Sequence, residues 1–241
     1  VQIRLSETLK RLLLVYGAVF VFQQTIDQFM GGNIKGWFAL VPNAVLHGHV
    51  WQILTYSFLH ADPMHLLLNL LVLAFVGTDV ESVWGRRKLL LYYFYCTTMA
   101  GLFYLMVQFL VSNPLYLSLP MVGASGGIYG LLLAYGILFP ERELLLMMLF
   151  PLRAKQFIWV LAGIEFLQAV YSGQGGLGAI AHLSGMGAGF LYLYLQAKGF
   201  QITRGSSQGK KRKSGHLKLV KGEDRRGPDE DDRNSGPKTW H

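Results

Sequence analysis

The sequence predicts an all-α, polytopic membrane protein, and three observations carry that prediction. Hydrophobic residues make up 52% of the 241-residue chain and charged residues 15%, a balance too apolar for an ordinary soluble domain. The charge is also unevenly placed: residues 198–241 hold 12 of the 22 Lys and Arg and 6 of the 14 acids, so what precedes them is more apolar than the average. Finally, six stretches are apolar and long enough to be read as spanning helices, because a crossing of about 30 Å of hydrocarbon takes about 20 such residues.

In chain order the six run over residues 10–30, 64–80, 88–111, 122–140, 155–172 and 179–197. The chain begins with Val, and no signal-peptide cleavage pattern precedes the first stretch, which is therefore read as a retained anchor. The connection 31–63 is long and carries Trp37, Phe38, Trp51, Tyr56 and Phe58. Aromatic residues of this kind favour the headgroup layer, so a folded, partly membrane-immersed loop is expected there. The second stretch is short and borrows flanking residues. Segment 141–154, with Pro151 inside it and Pro140 before it, reads as a connection between the fourth and fifth stretches.

Past residue 197 apolar periodicity stops and Gly, Ser and charged residues take over, the composition of a disordered segment. The expected division is a membrane core over 1–197 and a charged cytoplasmic tail over 198–241. The run Lys210, Lys211, Arg212 and Lys213 suits attraction to anionic lipid headgroups, or simply a solvated tail that helps fix orientation.

Lys and Arg distribute in alternation. Arg4, Lys10 and Arg11, then Arg86, Arg87 and Lys88, then Arg142, Arg153 and Lys155 occupy alternate connections, while Lys35 stands alone on the opposite side. Even without the tail this is nine against one, and basic residues are retained on the cytoplasmic side. Six crossings with both termini cytoplasmic follow. The short N-terminus without a transit sequence points to a prokaryotic plasma (inner) membrane.

The formal net charge of +8 does not indicate nucleic acid, because no basic face is interleaved with aromatics. Cys96 is the one cysteine, which excludes an intrachain disulfide and a cysteine-based metal centre. Neither a metal nor a cofactor is expected.

Polar residues inside spans are costly and are functional candidates by default. His65 and Asn69 enter with the second stretch, Ser125 with the fourth and His182 with the sixth, all from the outer side and so at one depth. His65 and Asn69 are four residues apart and share a helix face, as do Ser125 and Tyr129. Gly126, Gly130 and Ala134 form a small-residue stripe, and Gly185 and Gly189 follow His182 on its face. Such stripes let helices approach closely in lipid, which would bring Ser125 to His182.

A serine hydroxyl becomes a competent nucleophile when an imidazole takes its proton, and amide cleavage also needs donors for the developing oxyanion. His65, Asn69 and the Ser125 backbone N–H, unpaired in the first turn of its helix, are expected to supply them. Tyr129 is expected to stack on His182. No carboxylate enters this scheme: Glu165 is read as paired within the bundle and Asp27 as lying near the outer boundary, and neither has an evident relay partner.

These residues resemble the rhomboid family of intramembrane serine proteases over residues 10–197. The resemblance rests on Gly123-Ala124-Ser125-Gly126 as a GxSG nucleophile motif, on Ala181-His182 with Gly185 and Gly189, and on His60, His65 and Asn69 within 60–69. It implies a six-helix rhomboid-like bundle with a membrane-immersed first loop and a Ser125–His182 dyad. It further implies oxyanion assistance from His65 and Asn69, with transmembrane protein segments as substrates. Gly123, Gly126, Gly185 and Gly189 are assigned to helix packing beside the site. One departure from the family pattern is Trp51-Gln52 where many members carry Trp-Arg.

Competing readings fit less well. A hydrolase nucleophile elbow needs a strand before the serine, and a zinc protease helix needs His-Glu-x-x-His, whereas no histidine here precedes Glu. The non-enzymatic alternative is a membrane protein that binds or escorts transmembrane clients without cutting them.

Overall fold

The computed structural model describes residues 5–111, 113–146, 150–173 and 176–208. The chain divides into the units Val1–Gln201 and Ile202–His241, and everything below concerns the first, apart from the end of its last helix. Most of the expected tail, including Lys210, Lys211, Arg212 and Lys213, lies outside the described residues.

The first helix, α1 (Glu7–Phe29), starts where the Ser6 hydroxyl oxygen caps the Leu9 amide at 3.1 Å. Ser6 also donates to Glu81. Leu9, Tyr16 and Gln23 are the buried positions of α1, spaced two turns apart and therefore on one face. Tyr16 meets the Tyr93 hydroxyl at 2.6 Å. Gln23 satisfies both ends of its amide on the backbone of His60, at 2.8 and 3.1 Å, as a buried polar group must.

Between α1 and the next long helix the chain folds into short pieces: α2 (Ile34–Phe38), α3 (Pro42–Leu46), α4 (Gln52–Thr55) and a single 3₁₀ turn, Tyr56–Phe58. Gln52 is fully buried and ties them together. Its carbonyl accepts from Val41 N at 3.0 Å, and its amide donates to Gly36 O and Trp37 O at 3.1 and 3.2 Å. A neutral side chain thus anchors this loop through three backbone contacts. Leu40 and Tyr56 pack with Tyr104 and Leu105, while Trp37, His49 and Trp51 stack in a row at the surface.

Helix α5 runs from Pro63 to Val111, 49 residues, or about 74 Å if it were straight. It is broken at Gly85, whose φ of 75° and ψ of 163° are non-helical. The second and third expected stretches are therefore two helical segments joined through a single residue, with no separate loop. Glycine meets the backbone requirement there, and Arg86, Arg87 and Lys88 follow directly.

After the short α6 (Pro114–Leu117) comes α7 (Ser125–Leu138), the most enclosed helix, with Gly126, Gly127, Ile128, Gly130, Leu131, Leu132, Ala134, Tyr135 and Gly136 all buried. It is followed by an antiparallel hairpin, β1 (Glu143–Leu146) with β2 (Phe150–Arg153), pairing Glu143 with Arg153 and Leu144 with Leu152. This is the expected connection, folded as two short strands. Helices α8 (Ala154–Tyr171) and α9 (Gly176–Gln208) complete the described residues, and α9 continues past the expected boundary at residue 197.

Among the described residues three helices are long and apolar enough to cross a membrane, Glu7–Phe29, Pro63–Val111 and Gly176–Lys198, and Ser125–Leu138 is a shorter apolar helix.

Candidate active site

Residues 121–125 lead into α7 through a turn that depends on glycine. Gly123 has a φ of +126°, and a Cβ there would stand 2.8 Å from the His65 imidazole. Its amide donates to Tyr56 O at 3.1 Å, fastening the turn to the first loop. Sequence reasoning assigned Gly123 to helix packing; it lies ahead of the helix, where it supplies an uncommon backbone conformation and leaves room for His65.

Ala124 is the N-cap and Ser125 the first residue of α7. Ser125 therefore sits at the positive end of a helix dipole, where the first amides have no intrahelical acceptor.

The approach of α9 to α7 is set by backbone. A Cβ on Gly185 would come within 2.0 Å of Gly126 O, whereas one on Gly189 would meet a side chain of α5, the Tyr92 hydroxyl, at 2.2 Å. The stripe on α7 faces mainly another neighbour: Cβ atoms on Gly126 and Gly130 would strike Ala100 Cβ at 2.6 Å and Cys96 Sγ at 2.5 Å, both on the second half of α5. Small residues thus let α7 lie against both partners at once.

At that approach Ser125 Oγ stands 2.7 Å from His182 Nε2. The His182 ring stacks on Tyr129, centroids 4.2 Å apart and planes 10° apart. On the far edge of the imidazole, Nδ1 meets Glu165 Oε2 at 3.0 Å, and the Tyr129 hydroxyl donates to the other carboxylate oxygen. An ionised carboxylate only accepts, so this contact puts the proton on Nδ1 and leaves the Nε2 lone pair facing the serine hydroxyl.

A cavity of about 170 Å³ opens over these groups, lined among others by Tyr56, His65, Met121, Ser125, Gly178 and His182. His65 shares it with Ser125, and its own amide is held by Asp62 Oδ1 at 2.9 Å. Asn69, one turn further along α5, does not line the cavity. It is buried, and among the described residues its Nδ2 has no hydrogen-bond partner. His60 is fully buried beside them, edge-on to Tyr16 and His65 with centroids at 5.7 and 5.1 Å. Burial holds its imidazole down, to a pKa of about 4, and the neighbouring His65 adds to the effect. Among the described residues no group of three or more His, Cys, Asp or Glu could hold a metal ion.

Glu165 was expected to be paired within the bundle, and it is. Its carboxylate accepts from His182 Nδ1, a link to the histidine that sequence reasoning did not find. Depth could have revealed it. Glu165 stands six residues before the end of α8 at Tyr171, and His182 six residues after the start of α9 at Gly176, each about 9 Å from its helix end.

Comparison with known proteins adds the family. A Rhomboid domain matches residues 47–199. The chain is 29% identical over 151 residues to the rhomboid protease GlpG of Haemophilus influenzae, covering 62% of this chain and 71% of that protein. It is 33% identical over 116 residues to the human rhomboid-related protein 3, covering 48% of this chain and 25% of the human one. It is also 37% identical over 76 residues to the inactive RHOMBOID-like protein 8 of Arabidopsis thaliana, covering 32% of this chain and 20% of that one.

Proposed function

The chain belongs to the rhomboid family, and on that premise we propose that it is an intramembrane serine endopeptidase that cuts transmembrane segments of other membrane proteins. Relatives named as a protease and as inactive both occur, so the reading rests on this chain's own residues. The observation that carries it is the 2.7 Å contact between Ser125 Oγ and His182 Nε2 at the mouth of a helix dipole and beside a cavity.

In this reading His182 Nε2 accepts the Ser125 proton as Oγ attacks the scissile carbonyl, and returns it to the leaving amine; water then releases the acyl group by the reverse route. The Ser125 amide, with His65 and Asn69, stabilises the oxyanion. Asn69 reaches it by turning its unpartnered amide toward the cavity once substrate is bound. Because a helical substrate satisfies its own amides internally, preferred substrates carry small or helix-weakening residues near the cut.

Six crossings, with α5 counted as two on either side of Gly85, put the three basic clusters on the cytoplasmic side and the cavity near the other. The aromatic first loop then lies in the headgroup layer. Residues 1–197 form the cutting core, and 198–241 a charged cytoplasmic extension.

The test is a fluorophosphonate probe together with a reconstituted transmembrane substrate. Wild type is expected to be labelled and to cleave, and Ser125→Ala and His182→Ala to do neither while remaining folded. His65→Ala and Asn69→Ala are expected to lower kcat by on the order of 100 to 1,000-fold, as loss of one oxyanion donor does elsewhere. A folded wild type that binds transmembrane segments but neither labels nor cuts would establish the non-catalytic escort instead.

A further inference from the structure

Among the described residues the carboxylate on α8 is the one buried charged group near the serine that a two-residue mechanism leaves without a task. Its side chain is 6% exposed, and a lone carboxylate in such surroundings is costly unless paired and hydrogen-bonded. Helix packing does not account for its position. The buried residues of α8 are Ala154, Ile158 and Glu165, so in the half of the helix nearest the serine Glu165 alone turns inward, while Phe166, Leu167, Val170 and Tyr171 are exposed.

We propose that Glu165 is a positioning residue for His182, so that the site works as a Ser125–His182–Glu165 triad whose third member is delivered by a separate helix. The proposal rests on the serine-protease reading. Stacking on Tyr129 fixes the plane of the imidazole but not which ring nitrogen bears the proton, nor which edge faces Ser125. Glu165 fixes both, because an acceptor at Nδ1 selects the tautomer with a free lone pair on Nε2. When Ser125 attacks, the O–H bond breaks, the proton passes to Nε2, and the resulting imidazolium stands 3.0 Å from a carboxylate that stabilises it without taking its proton. Tyr129 serves the same end twice, through its ring on the histidine and its hydroxyl on the acid.

The experiment uses the full chain in proteoliposomes with a transmembrane substrate, together with NMR of protein carrying ¹⁵N-labelled histidine. Glu165→Gln keeps the size of the side chain but can turn an N–H toward Nδ1 and select the wrong tautomer. Its kcat is expected to fall by on the order of 100 to 10,000-fold, with KM changed by less than about threefold. Glu165→Asp is expected to recover part of the loss, and fluorophosphonate labelling to slow in parallel.

Wild type should show a strongly downfield Nδ1–H resonance, assigned by its absence from His182→Ala and lost in Glu165→Gln. An active wild type lacking that resonance, or a Glu165→Gln enzyme with wild-type kcat, overturns this proposal alone. If Glu165→Gln fails to fold, the wild-type resonance and the rate of Glu165→Asp decide. A wild type that neither cuts nor labels overturns the protease reading, and is recognised because Ser125→Ala then behaves like it.

Discussion

The two ends of α7 use the same chemical pairing, a carboxylate with a base, under opposite physical conditions. Beyond its C-terminal end, Arg142 pairs with Asp79, and Glu141 with both Arg153 and Lys155. All of these side chains are at least a third exposed, the Arg142 and Asp79 side chains at 51% and 37%. At its N-terminal end Glu165 meets His182 with side chains 6% and 23% exposed. Where water reaches a pair, Coulomb attraction is screened and offset by side-chain entropy. Where it does not, the partner must be present and well aligned, because leaving one group behind costs several kcal/mol. Exposed pairs tolerate loss; buried ones impose geometry.

Three predictions sharpen that contrast, in descending order of effect. Gly185→Val should be the most damaging, since even a Cβ at this position lies 2.0 Å from Gly126 O, a backbone atom that cannot move aside. We expect destabilisation of about 3 kcal/mol or more, at or above the upper range for overpacking, with loss of cleavage, read by thermal unfolding in detergent. A variant as stable as wild type would show that the two helices need not touch.

Next is acid. His60 is neutral in the fold, with a pKa lowered from 6.5 to about 4, chiefly by burial. The unfolded chain therefore binds more protons between those values, and stability is lost as pH falls through that window. The full loss is on the order of 3 kcal/mol. The unfolding temperature should drop as pH falls from neutral towards about 4, and His60→Gln should flatten the profile. An unchanged profile would break the comparison by removing the acid-sensitive element from the serine end.

The smallest effect belongs to Arg142→Ala, expected to cost less than about 1 kcal/mol in the same melt. A larger loss would mean that the far end is less screened than its exposure indicates.

How much of this was legible in the sequence depended on the range of the signal. Long apolar stretches located the long helices, most ends to within a few residues, because twenty consecutive residues average out local exceptions; the end of α9, eleven residues past the expected boundary, is the exception. A break was expected between residues 80 and 88, but its narrowing to Gly85 alone went unseen because one glycine changes neither periodicity nor charge. Helices of four and five residues between Ile34 and Thr55 are too short to carry a period at all. Trp51-Gln52 was visible as a departure, but that Gln52 holds three backbone groups depends on a fold no local pattern encodes.

The candidate site divides the same way. Ser125, His182, His65 and Asn69 could be grouped by depth, since each lies close to a helix end. Glu165 lies as near its helix end as His182 does, but it was weighed as a lone acid. Its relation to His182 exists only once α8 and α9 are set side by side.

That adjacency bears on how the protein is made. Glu165 and His182 lie 17 residues apart, on consecutive helices that emerge one after the other during synthesis. A carboxylate entering hydrocarbon is expensive alone, but here a group that hydrogen-bonds it arrives with the next helix, before any more distant segment is required. The last helix pair thus carries its own hydrogen-bond donor for the acid, and the imidazole that Ser125 meets has already been claimed by it.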